Sequence, residues 1–350
     1  VKLVIQIPCL NEADQLPVTL AELPRRVDGF DVVEWLVVDD GSTDDTAAVA
    51  RSLGVDHIVR LPLHKGLAVA FQAGLDASLK LGADVVVNTD ADNQYSAADI
   101  PRLVKPILAG EADVVVGDRG VMTVADFSWS KRRLQRLGSW VVSQAAGVDV
   151  PDATSGFRAY SRDAALQLVV LTRYTYTLET LIQAGASDLT VANVPVTKNP
   201  VERPSRLFRS NRDYVGRQLR GITRMSVFYW PLRAFTTAAV VLGALALLAW
   251  VPFLSSFLRG EPSGHIQSVV LGAVLMISAV QVLAVGVLAD LLGTQRALSQ
   301  QTLERVRRVE VHLGVPPSHL LEGDGHAPTS TDAHDSAGRD PGRDRPGGRA

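Results

Sequence analysis

The stretch Asn88-Thr89-Asp90-Ala91-Asp92-Asn93-Gln94 places two carboxylates two residues apart directly after the apolar run Val85–Val87. At a strand end both can reach one hard divalent cation. Mg2+ characteristically takes one or two protein carboxylates and completes its shell with phosphate oxygens and water. The chemistry on offer is a metal-held diphosphate. A second cluster, Val37-Val38-Asp39-Asp40-Gly41-Ser42-Thr43-Asp44, closes another apolar run. Ser42 or Asp44 suits an ordinary helix N-cap. Two consecutive acids exceed what capping requires, and Asp39 or Asp40 could accept a hydrogen bond from a nucleobase N–H or a ribose hydroxyl. A third cluster, Ile7-Pro8-Cys9-Leu10-Asn11-Glu12, again passes from strand to helix, with Asn11 equally suited to a cap. No G-x-G-x-x-G lies near the paired acids and G-x-x-x-x-G-K-[ST] occurs nowhere, which disfavours a dinucleotide oxidoreductase and a P-loop enzyme.

The elements that must carry these clusters follow from hydrophobic patterning. Lys2–Ile7, Val33–Val38, Val85–Val87 and Val114–Val116 are short β-branched runs that read as buried parallel strands. Between them Glu12–Leu23, Thr43–Leu53, Leu67–Leu81 and Ala98–Leu108 repeat apolar residues at helical spacing, giving a βαβ succession. In open α/β sheets ligands sit beyond the carboxyl ends of the strands. The three polar clusters therefore converge on one edge.

Ala234–Leu258 and Ile266–Ala289 contain no charged residue, and each is long enough for the roughly 20 helical residues that span a bilayer core. Arginines flank the pair on its outer sides, from Arg203 to Arg233 before it and from Arg296 to Arg308 after it, whereas the connecting loop carries only Arg259. The positive-inside rule predicts a multi-pass hairpin in the cell membrane with both ends cytoplasmic. No signal-peptide pattern accompanies the short first apolar run, so the hairpin is the expected membrane address. The resulting plan is a catalytic-size domain over 1–215, a basic juxtamembrane segment over 216–233, spans at 234–258 and 266–289, a cytoplasmic amphipathic helix over 291–313 with a surface for homo-oligomer contacts, and a disordered tail over 322–350.

The 350 residues carry 35 Lys and Arg against 37 Asp and Glu, a net charge of −2, which argues against nucleic-acid binding by phosphate neutralisation. A single cysteine, Cys9, excludes an internal disulfide framework and a cysteine-built zinc site, and suits a reducing cytosol.

Taken in order, Pro8-x-x-Asn11-Glu12, Asp39-Asp40-Gly41-Ser42-x-Asp44, Asp90-Ala91-Asp92 and Ser155-Gly156-Phe157-Arg158 resemble family 2 glycosyltransferases. The resemblance covers roughly 1–215 and is nearest to the polyprenyl-phosphate branch, similar to the dolichyl-phosphate mannose and glucose synthases. It implies a GT-A nucleotide-diphospho-sugar transferase fold, α/β with a Rossmann-like mixed sheet, followed by the transmembrane hairpin. It further implies that Pro8, Leu10, Glu12, Val38, Asp39 and Asp40 line a nucleotide-sugar donor, and that Asp90, Asp92 and Gln94 bind Mg2+ or Mn2+ and the diphosphate with Ala91 beside them. Arg119 would face the reacting phosphates, and Arg203 and Arg206 match the family's flexible basic segment. Lys131, Arg132, Arg133 and Arg136 offer further positive charge, Arg132 and Arg133 foremost; the alternative for this run is a solvated helix face. Asp152 and Glu179 are candidate orienting acids or structural ones.

The activity so implied is inverting transfer of one sugar to polyprenyl phosphate at the membrane lipid surface. Two rivals stand beside it. A processive polysaccharide synthase would carry Gln-x-x-Arg-Trp, which Gln218-Leu219-Arg220-Gly221 does not match. A non-catalytic nucleotide-binding membrane scaffold has no need of an intact Asp90, Asp92 and Arg119.

Overall fold

The computed structural model describes residues 1–120, 143, 147, 150–170, 176–199, 231–260 and 265–321. Lys131, Arg132, Arg133, Arg136, Arg203, Arg206, most of the basic juxtamembrane segment and the 322–350 tail lie outside the described residues.

Strand β1 (Lys2–Cys9) is buried along nearly its whole length, as expected of a central strand covered on both faces. It pairs in parallel with β2 (Val32–Asp39) on one side and with β4 (Val85–Asn88) on the other. Helices α1 (Leu16–Glu22), α2 (Thr46–Ser52) and α3 (Leu67–Lys80) make the crossovers, with β3 (His57–Arg60) between α2 and α3. Helix α4 (Ile100–Leu108) leads to β5 (Val114–Asp118), followed by β6 (Arg158–Ser161), α5 (Arg162–Gln167), α6 (Tyr176–Ala186) and β7 (Val191–Pro195). The sheet order is β3-β2-β1-β4-β6-β5-β7.

The sheet is mixed because β6 runs antiparallel to both β4 and β5. Its register sets Arg158 opposite Asn88, so the Ser155-Gly156 turn arrives beside the end of β4. Asn88 fixes that approach by donating from Nδ2 to the Gly156 carbonyl at 2.8 Å. Helix α3 comes close enough to the sheet that a Cβ on Gly74 would stand 2.7 Å from Gln6 Oε1 and 2.9 Å from Val38 Cγ2. Leu3, Val4, Ile5, Val86 and Val115 are fully buried in the strands. Each such side chain contributes about 1.5–3 kcal/mol relative to exposure.

Two further helices, α7 (Pro231–Leu258) and α8 (Ile266–His312), are long and apolar enough to cross a membrane. Only 11% and 17% of their most apolar windows are buried, so these faces do not form the core of a soluble fold. Helix α8 joins the second expected span and the expected 291–313 helix without a break. Its far end packs on the catalytic domain of its own chain: Arg307 donates to the Leu168 carbonyl at 2.9 Å.

Candidate active site

The polar clusters that follow β1 and β2 are tied together by reciprocal hydrogen bonds between their loops. Ser42 Oγ accepts from Asn11 N at 2.9 Å, and Asn11 Oδ1 accepts from Thr43 N at 2.8 Å. Asn11 takes a φ of 53° to do so, a conformation asparagine tolerates better than most residues. Pro8 and Val38 lie opposite one another in the β1–β2 register, next to the Cys9–Asp39 pair.

Asp39 is fully buried, receives Ser42 N on Oδ1 at 2.7 Å, and has Arg60 Nε 3.2 Å from Oδ2. Asp40 is held by the turn that opens α3: Lys65 N donates to Oδ1, and Gly66 N to Oδ2, both at 2.8 Å. His64 Nδ1 lies 2.7 Å from Oδ2. Asp39 is thus fixed by its own turn, and Asp40 by backbone donors from a distant loop.

The Asp-x-Asp loop leaves β4 beneath α1, where Thr19 Oγ1 donates to the Ala91 carbonyl at 2.7 Å. Gln94 N donates to Asp92 Oδ1 at 3.2 Å, and the Asp92 side chain stays exposed. No described residue donates a hydrogen bond to the Asp90 carboxylate. Burial and the neighbouring Asp92 charge push Asp90 up to about 7, with Arg119 acting in the opposite sense. Among the described residues no group of three or more His, Cys, Asp or Glu converges.

This geometry predicts a pH dependence. If Asp90 ligates a metal, binding requires its ionised form, and Mn2+ affinity should rise about tenfold per pH unit toward neutrality and level off above about 7. Calorimetric Mn2+ titration across that range checks it; a flat profile between pH values near 5 and 7 contradicts it.

Gly156 explains one part of the Ser-Gly-Phe-Arg motif. A Cβ there would stand 2.7 Å from Tyr176 Oη and 3.1 Å from both Asp90 carboxylate oxygens. Tyr176 cannot easily retreat, because it stacks on Phe71 at 4.1 Å and its hydroxyl accepts from Asn88 Nδ2 at 3.1 Å. Gly156→Ala should displace Asp90 and lower the apparent metal affinity by about tenfold or more, comparable to loss of one well-placed polar contact. Metal titration of the folded variant measures it.

Arg158, fully buried, donates to the carbonyls of Ser155, Ala153 and Thr177 and to Thr180 Oγ1, all within 2.7–2.8 Å. It clamps the 153–155 turn to α6. Glu179 is fully buried in the same helix.

Arg119 leaves the end of β5 and meets Asp152 side-on. Its Nε and Nη2 donate to the two carboxylate oxygens at 2.6 and 2.9 Å. Nη2 also donates to Thr154 Oγ1 at 2.9 Å, and Nη1 to Gln94 Oε1 at 3.3 Å. Asp152 is 1% exposed; burial opposes its ionisation, but the Arg119 guanidinium holds its carboxyl below the usual range. Burial likewise opposes the Arg119 charge, and Asp152 more than restores it. Tyr95 lies under the guanidinium with its ring centroid 5.9 Å away; burial and Asp90 push its phenol up to about 12, and it accepts from Gly156 N at 3.1 Å.

The structure therefore brings together Asp90, Asp92, Gln94, Arg119 and Asp152, and sets Asp39 and Asp40 at the neighbouring strand ends. Asp152 touches Arg119, which makes it a positioning group in this geometry. Tyr95, Thr154 and the Lys65–Gly66 backbone were not singled out by the sequence patterns. Tyr95 could have been found from its place one residue after Gln94; backbone donors leave no such signal.

A mixed sheet whose strand ends gather an Asp-x-Asp loop and paired acids has the arrangement of the GT-A fold. The model of Glycosyl transferase family 2 matches residues 4–168, and the chain belongs to that family: it is a glycosyltransferase. It is 31% identical over 202 residues to the polyprenol monophosphomannose synthase of Mycolicibacterium smegmatis, spanning 55% of this chain and 75% of that protein. It is 30% identical over 238 residues to the undecaprenyl-phosphate mannosyltransferase of Micrococcus luteus, spanning 65% of this chain and 93% of that protein. Among solved structures it resembles Mycobacterium tuberculosis glucosyl-3-phosphoglycerate synthase, solved with Mn2+, UDP and phosphoglyceric acid. That likeness has a TM-score of 0.50 at 24% identity, covers 65% of this chain and 77% of the other, and shows the fold.

Proposed function

We propose that the protein transfers one sugar, with inversion, from a nucleotide-sugar donor to a polyprenyl phosphate at the cytoplasmic face of a membrane. The observation that carries this reading is the occurrence in one chain of an Asp90–Asp92 loop at the end of β4 and two helices long and apolar enough to cross a membrane. The names of the two mannosyl-transferring relatives support the lipid-phosphate acceptor.

Asp90 and Asp92 would hold Mg2+ or Mn2+, with Gln94 at its edge. Bound there, the ion supplies Lewis-acid charge to the departing nucleoside diphosphate, so no protein acid need protonate it. Asp39 and Asp40 would meet the nucleoside, flanked by Pro8, Leu10, Glu12, Val38 and Ala91. The acceptor phosphate, with a second pKa of about 6 by analogy with phosphoserine, is already mostly ionised at neutral pH. Its oxygen forms the new bond to the anomeric carbon while the bond to the diphosphate breaks and the electron pair leaves with it. No protein base is required.

What the chain must supply is positive charge and orientation. Arg119 is neutralised by Asp152, so its contribution is a fixed set of N–H donors beside Gln94. Net positive charge would come from the Lys131–Arg136 run and from Arg203 and Arg206. Supporting the latter, Asn199 N donates to the Gln94 carbonyl at 3.0 Å, so the chain leaves the metal loop four residues before Arg203. The arginines flanking the helix pair would keep the catalytic domain, roughly 1–215, on the cytoplasmic side and draw it to anionic lipid at about 1 kcal/mol per residue near the surface.

The test is transfer of labelled sugar from a panel of nucleotide sugars into organic-extractable lipid by the purified full chain with polyprenyl phosphate. EDTA-sensitive label in the lipid is expected. Folded, nucleotide-binding protein that labels no lipid with any donor would refute the acceptor.

A further inference from the structure

Strand β3 is the edge of the sheet and only four residues long, a place where strands fray unless covered. It is covered by the end of the described chain. Leu320 forms an antiparallel bridge with Val59, and Arg60 N donates to the His319 carbonyl at 3.0 Å. Leu320 and Val311 pack on the apolar cluster that contains Val59, Leu61 and Phe71. Upstream, the end of α8 is anchored by Arg307, which is 7% exposed and donates to the carbonyls of Leu166 and Leu168 at 3.3 and 2.9 Å. These carbonyls close α5, where a guanidinium satisfies otherwise orphaned acceptors. Asp76 lies 3.5 Å from Arg307 Nε, and the Lys80–Glu310 and Arg308–Asp163 pairs, at 3.1 and 2.9 Å, flank it.

What β3 carries makes this seat matter. The Arg60 side chain lies 3.2 Å from Asp39 Oδ2 and donates to the Ser42 carbonyl at 3.3 Å. Asp39 Oδ2 is buried without a hydrogen-bond partner, so Arg60 is the cation beside it. The turn that follows, His64 to Gly66, supplies the side-chain and backbone partners of Asp40. Movement of β3 moves the partners of both acids.

We infer that residues 307–320, outside the matched family region, are a working part of the donor site. They seat β3 and thereby hold Arg60 and the His64–Gly66 turn on Asp39 and Asp40. Arg60 is a positioning residue and Arg307 the anchor. The inference rests on Asp39 and Asp40 meeting the donor nucleoside. Because α8 runs unbroken from the second apolar stretch to this anchor, one helix joins the membrane segment to the nucleotide edge.

The experiment is calorimetric binding of UDP and of GDP, each with Mn2+, to the full-length protein in detergent, beside donor kinetics and melting temperature. Leu320→Asp and Arg307→Ala should weaken whichever nucleotide the wild type binds by about tenfold, the scale of one lost polar contact. Donor KM should rise with kcat changed by no more than about twofold, the signature of lost uniform binding. Arg60→Ala keeps the main-chain contacts of the docked segment and should weaken the nucleotide similarly, with a lower melting temperature because buried Asp39 loses its cation. Glu111→Ala, exposed in the turn before β5, should behave as wild type. Variants that melt lower yet bind UDP or GDP with wild-type affinity, with Arg60→Ala also binding normally, overturn the inference. If the wild type binds neither nucleotide, the role of Asp39 and Asp40 fails and the inference falls with it.

Discussion

Asp92→Ala is expected to lower metal-dependent sugar transfer by about 10³-fold, the cost of losing one preorganised electrostatic partner of the leaving group. The side chain is exposed and its only described hydrogen bond comes from Gln94 N, so the fold should lose no more than about 0.5 kcal/mol. The two readouts should therefore separate. Activity collapses while the melting temperature stays near wild type. Removing the Asp92 charge also removes a cause of the raised Asp90 pKa, so the inactive variant should show an Asp90 that ionises at lower pH than about 7. Initial rates against Mn2+ concentration check the first part and NMR titration of the carboxyl the second. Wild-type rates in Asp92→Ala would remove the metal loop from the chemistry.

Asp152→Ala carries the second large effect, and here activity and stability should fall together. The Arg119–Asp152 pair is nearly buried and side-on, and removal of one partner strands the other. Breaking such a pair costs about 3–5 kcal/mol of stability. Transfer should fall by about 10²-fold as Arg119 loses its fixed orientation beside Gln94. Asp152→Asn separates shape from charge: it keeps one acceptor for the guanidinium, so it should fold better than Asp152→Ala yet remain slower than wild type. Thr154→Val removes two hydrogen bonds, one accepted from Arg119 Nη2 and one donated to Asp152 Oδ1, and should cost about 2 kcal/mol. Chemical denaturation and kcat on the same preparations measure both quantities. If Asp152→Ala keeps wild-type kcat while unfolding more easily, the pair is structural and Arg119 does not need to be held.

The parallel half of the fold was legible because β1, β2, β4 and β5 are buried on both faces and read as continuous apolar runs ending in polar clusters. β3, β6 and β7 were not. Their sequences, HIVR, RAYS and VANVP, are short and interrupted by polar residues. The antiparallel placement of β6 depends on Asn88 reaching Gly156 across 68 residues, a contact without local trace. The apolar helices were evident from charge-free length. Their continuation into a docked end was not, because α8 changes from charge-free to amphipathic without an intervening proline.

Within the site, Asp90 and Asp92 were legible from type and spacing, as were the paired acids. What these carboxylates lean on was hidden. Asp152 lies 33 residues from Arg119, and Asp40 is oriented by main-chain N–H groups that any residue could provide. Gly156 belonged to a recognisable motif, but its purpose, space for Asp90 and the Tyr176 hydroxyl, emerges only in three dimensions.

The most direct test of the central claim is the mass of the lipid product. Purified full-length protein is incubated with Mn2+, polyprenyl phosphate and the donor that labels lipid, and the organic phase is analysed by mass spectrometry. The account predicts a single new species heavier than the acceptor by one sugar residue, retaining one phosphate, and absent with Asp92→Ala. A ladder of multiply glycosylated products, a product carrying two phosphates, or sugar found only in water-soluble acceptors would contradict it.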